Sequence, residues 1–338
     1  MFRYFPLFLL VAACSPSHSR VVLYCAQDRE YAESILGDFT KQTGLRVDSK
    51  FDTEANKSVS LYEEIVREAK RPRCDVYWNN EILNTIRLSN QGLLEPYESP
   101  SATEYPPWTK AKDRTWQAFA ARARVLIVNT NLVAKEDYPT SVLDLARPVW
   151  KKRAAMAKPQ FGTTATQAVC LFEVLGNDAA RRFYADLRTN EIAIVAGNKQ
   201  VAQGVARGEF AIGITDSDDA IAELDNGKPV ALLFPDRAGH PAHPRLGTLF
   251  IPNTIAIVKN GPNPDGAKRL VDTLIGTGVE KQLAEGGGFQ IPLNPKTIAN
   301  VHPALLRPEQ VKTMQVDWDR AAENWEEVQT FLRNEFGR

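Results

Sequence analysis

Apolar residues in this chain fall into two patterns that take turns. Short unbroken apolar runs alternate with stretches in which apolar positions recur every third or fourth residue. Val21-Val22-Leu23-Tyr24-Cys25 is a run of the first kind and predicts a strand covered on both faces. Ala32, Ile35, Leu36 and Phe39 then mark one face of a helix that Gly44 closes. Residues 45–51 alternate and predict a second strand; Leu61, Ile65 and Ala69 predict a helix over 59–69, and residues 75–78 a third strand. A further helix carries Ile82, Leu83 and Ile86 and stops at Gly92. Strand, helix, strand, helix, strand predicts a parallel sheet with right-handed crossovers.

Residues 116–128 read as one long extended crossing. A second unit follows, with a short strand over 154–157, a helix from Gly162 to Leu175, a strand over 192–195 and a helix from Asn198 to Gly208. Then comes a strand over 210–214, which runs into a helix with Ala220, Ile221 and Leu224 at helical spacing. Residues 254–258 mirror the first crossing, and the carboxyl end predicts helices over 267–276, 279–283 and 308–336. No repeat of solenoid period is visible. The expected fold class is α/β, with parallel-rich sheets flanked by helices in two lobes hinged on two crossing strands. Residues 20–120 with 255–338 are expected to form lobe 1, and 121–254 lobe 2.

The amino terminus departs from this pattern. Arg3 precedes an apolar run of about ten residues, too short to span a bilayer but suited to a secretion signal. The run ends in Val11-Ala12-Ala13-Cys14, which resembles a bacterial lipobox. Residues 1–19 are therefore expected to be a lipoprotein signal and tether, with Cys14 as the lipidated residue; a plain cleaved signal is the alternative. The mature chain is expected outside the cytoplasm, periplasmic or at the cell surface and anchored by lipid. Three further cysteines, Cys25, Cys74 and Cys170, are expected as buried apolar thiols. Lys plus Arg and Asp plus Glu both number 41, and this neutral balance argues against nucleic acid as a partner.

The candidate chemistry centres on Thr215-Asp216-Ser217-Asp218-Asp219, at the carboxyl end of a buried strand where a helix begins. Open α/β sheets bind ligands at such strand ends. Helix capping by Asp216 or Ser217 is the plainer reading, but it does not need all five polar groups.

Several stretches resemble the periplasmic ferric-iron-type solute-binding proteins of ABC importers. They are Tyr24-Cys25-Ala26-Gln27-Asp28, Asp75-Val76-Tyr77-Trp78-Asn79-Asn80-Glu81, Gly92-Leu93-Leu94, and Asn198-Lys199-Gln200-Val201-Ala202 with Gly208-Glu209-Phe210-Ala211, together with the segment from Phe39 to Val47. The resemblance covers nearly the whole mature chain. It implies the two-lobed type 2 periplasmic-binding fold, no catalysis, and docking of a monomer to a membrane permease with its ATPase. It also implies site residues. Asp28 falls where ferric binders place a metal ligand after the first strand, and Glu81 matches their glutamate after the third. Ser217 and Asp218 stand where those proteins carry two adjacent tyrosines. Gly162-Thr163-Thr164 and Asn198 match the site of a synergistic phosphate or carbonate.

A helix start with threonines is a natural oxyanion site, although Thr163 or Thr164 capping the helix is the bland alternative. The carboxylates Asp28, Glu81, Asp216 and Asp218 offer hard oxygens suited to Fe(III), Mn, Ca or Mg. Metal ligation is expected of Asp28, Glu81 and Asp218. An anion pocket facing an acidic one equally suits a zwitterion such as 2-aminoethylphosphonate, or a phosphorylated metabolite. A metal-dependent extracytoplasmic enzyme is the competing class, and no Ser-His-Asp, Cys-His or zinc-ligand spacing supports it. Glu54, Asn56 and Lys57 read as a helix entrance or as an anion contact. His240-Pro241-Ala242-His243 reads as a surface loop, because proline breaks any helix that would align the imidazoles.

Overall fold

The computed structural model describes residues 20–52 and 58–337. Cys14, Glu54, Asn56 and Lys57 lie outside the described residues. The first unit runs β1 (Arg20–Cys25), α1 (Arg29–Thr43), β2 (Arg46–Phe51), α2 (Val59–Arg67), β3 (Val76–Asn79), α3 (Leu83–Asn90) and β4 (Leu94–Glu95). The long strand β5 (Gln117–Asn129) leads to β6 (Ala154–Ala157), α4 (Gly162–Leu175), α5 (Asn177–Thr189), β7 (Ala193–Val195), α6 (Asn198–Ala206), β8 (Ile212–Asp216), α7 (Ser217–Asp225) and β9 (Val230–Leu233). The chain returns through β10 (Phe250–Val258) to α8 (Pro264–Leu274) and α9 (Thr277–Glu285), and ends in α10 (Trp318–Glu323) and α11 (Trp325–Phe336).

The strands follow one path, β2-β1-β3-β10-β5-β8-β6-β7, with β4 on β10 and β9 on β5. β1 pairs in parallel with β2 and β3, and β6 in parallel with β7 and β8, as strands joined by helical crossovers must. The two units meet on β5. Its residues up to Ala123 pair with β10, and those from Arg124 onward with β8 and β9. This is the two-lobed α/β arrangement that the alternating pattern predicts.

The middle of β5 is held by a tight set of bonds. Ala120 adopts φ +39°, a conformation that a residue with a side chain rarely takes. Opposite it the register of β10 shifts between Pro252 and Asn253. The Ala120 N–H donates to Glu280 Oε1 at 2.9 Å, and its carbonyl accepts from Asn253 Nδ2 at 2.9 Å. Glu280 is fully buried and also accepts from the Leu293 and Asn294 N–H groups and the Thr297 hydroxyl.

Three differences from the sequence reading stand out. Helix α5 and strand β9 were not anticipated, although Ala180, Phe183, Tyr184 and Leu187 form a clear buried stripe on α5. The helix expected over 308–336 is a single turn at Pro308–Gln310, an extended segment, and then α10 and α11. Asp317 starts α10 by accepting from the Arg320 N–H. Lastly, this carboxyl-terminal part, expected in lobe 1, packs Ala321, Trp325, Val328 and Leu332 against both units, in a core cluster that holds Ile82, Leu83 and Ile86 of α3 together with Leu171 and Phe172 of α4 and Tyr184 of α5. Cys25, Cys74 and Cys170 are buried and form no disulfide, as expected of apolar thiols.

Removing the Glu280 carboxylate leaves four buried donors without their acceptor. Glu280→Ala is expected to destabilise the protein by about 3 kcal/mol or more in equilibrium urea unfolding. A loss below about 1 kcal/mol would show that these bonds do not hold the strand.

Candidate functional site

β5 carries Arg122 and Arg124 two residues apart, hence on one face of the strand. Both are almost wholly buried. Arg124 donates to five acceptors, all on lobe 2: Asp216 Oδ1 at 2.7 Å, Gln167 Oε1 at 2.9 Å, Asn198 Oδ1 at 3.0 Å, Thr163 Oγ1 at 3.2 Å and Thr164 Oγ1 at 3.4 Å. The acceptors are in turn linked. Thr163 donates to Asp216 Oδ2 at 2.6 Å, Thr164 to Asn198 Oδ1 at 3.1 Å, and Asn198 Nδ2 to Asp216 Oδ2 at 3.1 Å.

Arg122 reaches both lobes. Its Nε donates to Asp218 Oδ2 at 2.8 Å, on lobe 2, and its terminal nitrogens donate to Gln27 Oε1 at 2.6 Å and the Asn80 carbonyl at 3.3 Å, on lobe 1. Burial disfavours the charge, but Asp218, Asp216 and Asp28 outweigh it and hold the guanidinium above its ordinary pKa.

In front of Arg122 lies a cavity of about 100 Å³ between the lobes. Lobe 1 contributes Asp28, Glu30, Tyr31 and Asn80; lobe 2 contributes Gly162-Thr163-Thr164, Gly197-Asn198-Lys199, Lys158, Asp216, Asp218 and Asp219. Four helices, α1, α4, α6 and α7, therefore begin at this cavity, and none has a side-chain cap. Such helix starts present N–H donors and positive dipole ends. Gly162 takes φ +55° to make the turn into α4, which only glycine adopts freely. Asp216, Asp218 and Asp219 each bring a carboxylate oxygen to within 4.8 Å of the others, the one such His/Cys/Asp/Glu group found among the described residues.

The capping alternatives do not hold. Asp216 occupies the N-cap position of α7 without a side-chain cap bond, and its carboxylate turns to Arg124. Thr163 and Thr164 spend their hydroxyls on Asp216 and Asn198. Of the expected site residues, Asp28, Gly162, Thr163, Thr164, Asn198, Asp216 and Asp218 line the cavity together. Thr215 and Ser217 lie behind it: the Thr215 hydroxyl donates to the Asn198 carbonyl, and Ser217 Oγ accepts from the Ala123 N–H. Glu81, expected as a metal ligand, is corrected by its surroundings. It is fully buried off the cavity, with Oε1 accepting from Asn79 Nδ2 and the Asn84 N–H and Oε2 from the Leu83 N–H and the Thr166 hydroxyl. Its oxygens cap α3 and reach across to α4. Burial raises its pKa against the pull of these donors.

Comparison with known proteins adds three findings. The profile of the family described as bacterial extracellular solute-binding protein matches residues 86–324, more than half of the chain. This chain belongs to that family. It is thus a component of solute transport and not an enzyme. A major ferric iron-binding protein of Neisseria meningitidis is 26% identical over 93% of this chain and 94% of that protein. Among solved structures, iron-bound HitA from Pseudomonas aeruginosa overlays with a TM-score of 0.81 at 21% identity, covering 94% of this chain and 99% of that one. AfuA from Actinobacillus pleuropneumoniae, with fructose-6-phosphate bound, overlays with a TM-score of 0.81 at 23% identity, covering 94% and 98%. These overlays establish the two-lobed periplasmic-binding fold.

Sequence reasoning missed Arg122, Arg124, Tyr31, Lys158 and Lys199 in this solute-binding protein. A signal for the arginines was present: two cations inside a stretch otherwise apolar enough to be buried must find anionic partners. Arg124→Met should strand Asp216 and cost about 3–5 kcal/mol in equilibrium unfolding. The double replacement of Arg124 and Asp216 by Met should lose less than Arg124→Met alone, and equal or greater loss would refute the pairing.

Proposed function

We propose that this solute-binding protein captures a metal ion of the iron type, together with an oxyanion, in the cavity between its lobes, and delivers it to the permease of an ABC importer powered by an ATPase. One observation carries the reading: Asp216, Asp218 and Asp219 gather their oxygens on the same cavity that the uncapped starts of α4 and α6 face. Hard carboxylate oxygens suit a hard cation, and Asp28 faces the same space from lobe 1. Helix starts suit the accompanying phosphate or carbonate. A cation held by Asp218 would compete with Arg122 for that carboxylate, and an oxyanion at the helix starts would offer the guanidinium another partner.

The named relatives agree with a metal cargo and a periplasmic location: one from Neisseria meningitidis is a ferric iron-binding protein, and one from Serratia marcescens an Fe(3+)-binding periplasmic protein. Lipid attachment at Cys14 and a monomeric state are part of the proposal. A second reading, capture of an organic phosphate or phosphonate, draws on Arg122, Lys158 and Lys199 around the cavity and on the sugar phosphate held by AfuA.

Thermal unfolding with and without chelator separates the two. Ferric ion supplied with phosphate or citrate should raise the melting temperature, the chelator should abolish the gain, and Asp218→Asn should bind at least about tenfold more weakly. Saturation at a hundred times the dissociation constant corresponds to about 2.7 kcal/mol. A large stabilisation by organic phosphates that survives the chelator would overturn the metal reading. Tyr31 is the one tyrosine among the cavity's described lining residues, and burial together with Glu30, Asp218 and Asp28 holds its phenol proton tightly. A ferric ion there would displace that proton, giving a visible charge-transfer band that Tyr31→Phe removes; an unchanged band in the variant would exclude the contact.

A further inference from the structure

Outside the interlobe cavity, the segment between β9 and β10 brings two imidazoles and a buried carboxylate together. Proline between His240 and His243 forbids a shared helix face, but the segment turns back on itself instead. The two residues form an antiparallel bridge, and the His243 N–H donates to the His240 carbonyl at 3.3 Å. Directly opposed residues in such a pair project their side chains on the same face. The ring centroids accordingly lie 5.0 Å apart with 34° between the planes.

Asp236 stands at the base of this turn with φ +55°, and its carbonyl accepts from the Gly239 N–H at 2.7 Å. The residue is only 3% exposed. Oδ2 accepts from the Val142 N–H at 3.0 Å. Oδ1 is buried with no donor in hydrogen-bonding geometry, although the Ser141 hydroxyl stands near enough to favour the carboxylate. Asp236 and His240 line a cavity of about 550 Å³ together with Tyr138, Ser141 and Asp144.

We propose that Asp236, His240 and His243 bind a divalent late transition-metal ion, of the Zn²⁺, Co²⁺ or Ni²⁺ class, at a site separate from the interlobe cavity. Two imidazoles and one carboxylate are the donor set such ions take, with water completing the shell. The interlobe cavity offers oxygen donors only, so the two sites sort cations by softness. The donor atoms of the three residues are spread wider than a coordination sphere here, so the proposed site requires the two half-buried imidazoles to rotate toward Asp236 when metal binds. The 3.3 Å bond from the Ala242 N–H to His240 Nδ1 is long enough to yield to a metal at that nitrogen.

Titration of the full chain with Co²⁺, followed by its visible d–d spectrum and by calorimetry, tests this. One Co²⁺ should bind with a nitrogen-ligand spectrum. His243→Ala, a change on a half-buried turn, should weaken it at least about tenfold, as should His240→Ala and Asp236→Asn. Asp218→Asn, which alters only the interlobe cavity, should leave this site unchanged. Wild-type binding retained by both histidine variants, or binding lost in Asp218→Asn, would overturn the proposal.

Discussion

Two guanidinium groups buried on a single strand set the condition that the middle of this molecule has to meet. Every residue of β5 is buried, so Arg122 and Arg124 depend on protein partners for most of the hydrogen bonds their charges need. A buried charge is tolerated only when it is paired and hydrogen-bonded throughout. Arg124 meets that condition within lobe 2, through Asp216 and the residues that begin α4 and α6. Arg122 meets it across the cleft, through Asp218 on one side and Gln27 and Asn80 on the other. The acidic cluster at the end of β8 is therefore in the first place a set of counter-ions. Ligand binding has to act on ion pairs that already exist, and Arg122 makes any change at Asp218 felt on lobe 1.

The same strand is where the two lobes join, and its two halves are treated differently. Around Ala120 the backbone is fastened by Glu280 and Asn253. From Arg124 onward it belongs to the lobe 2 sheet. A second tie runs outside the cleft. Arg87 on α3 lies over the Tyr62 ring at 4.2 Å and the Trp325 ring at 5.0 Å, and it pairs with Glu326 at the start of α11. The terminal helices add this charged and aromatic contact to an apolar one, since their buried side chains share a core cluster with Ile82, Leu83 and Ile86 of α3 as well as with α4 and α5. The terminal helices therefore tie α3 to the α4–α5 core.

The sequence made the architecture legible because its elements are strongly patterned. Helix α4 falls on the expected residues, Gly162–Leu175, between a glycine that makes the entering turn and one that ends the helix. The strand–acidic turn–helix at residues 210–225 is equally plain. What was hidden depends on partners far away in the chain. Glu81 has the residue type and position of a ligand, and only the fold shows that Leu83, Asn84, Asn79 and Thr166 already occupy its oxygens. The carboxyl-terminal segment reads as helix, but the extended stretch before Asp317 runs beside Thr248, where Thr248 and Thr313 bridge. The apolar period of β5 conceals its two arginines, whose burial becomes intelligible only with Asp216 and Asp218, some ninety residues further on, beside them.

Charge then narrows what the cavity accepts. Asp28, Glu30, Asp216, Asp218, Asp219 and Glu223 line it against Arg122, Lys158 and Lys199, with Arg124 behind Asp216. The helix starts add only partial positive charge, roughly half an elementary charge each. Four such starts, with Arg122, Lys158, Lys199 and Arg124, roughly offset the six carboxylates, so net charge does not select the cargo. Charge is instead arranged in space. Asp216, Asp218 and Asp219 gather their oxygens in one place, while the starts of α4 and α6 face the same cavity with N–H donors. A cargo with a cationic and an anionic part matches both.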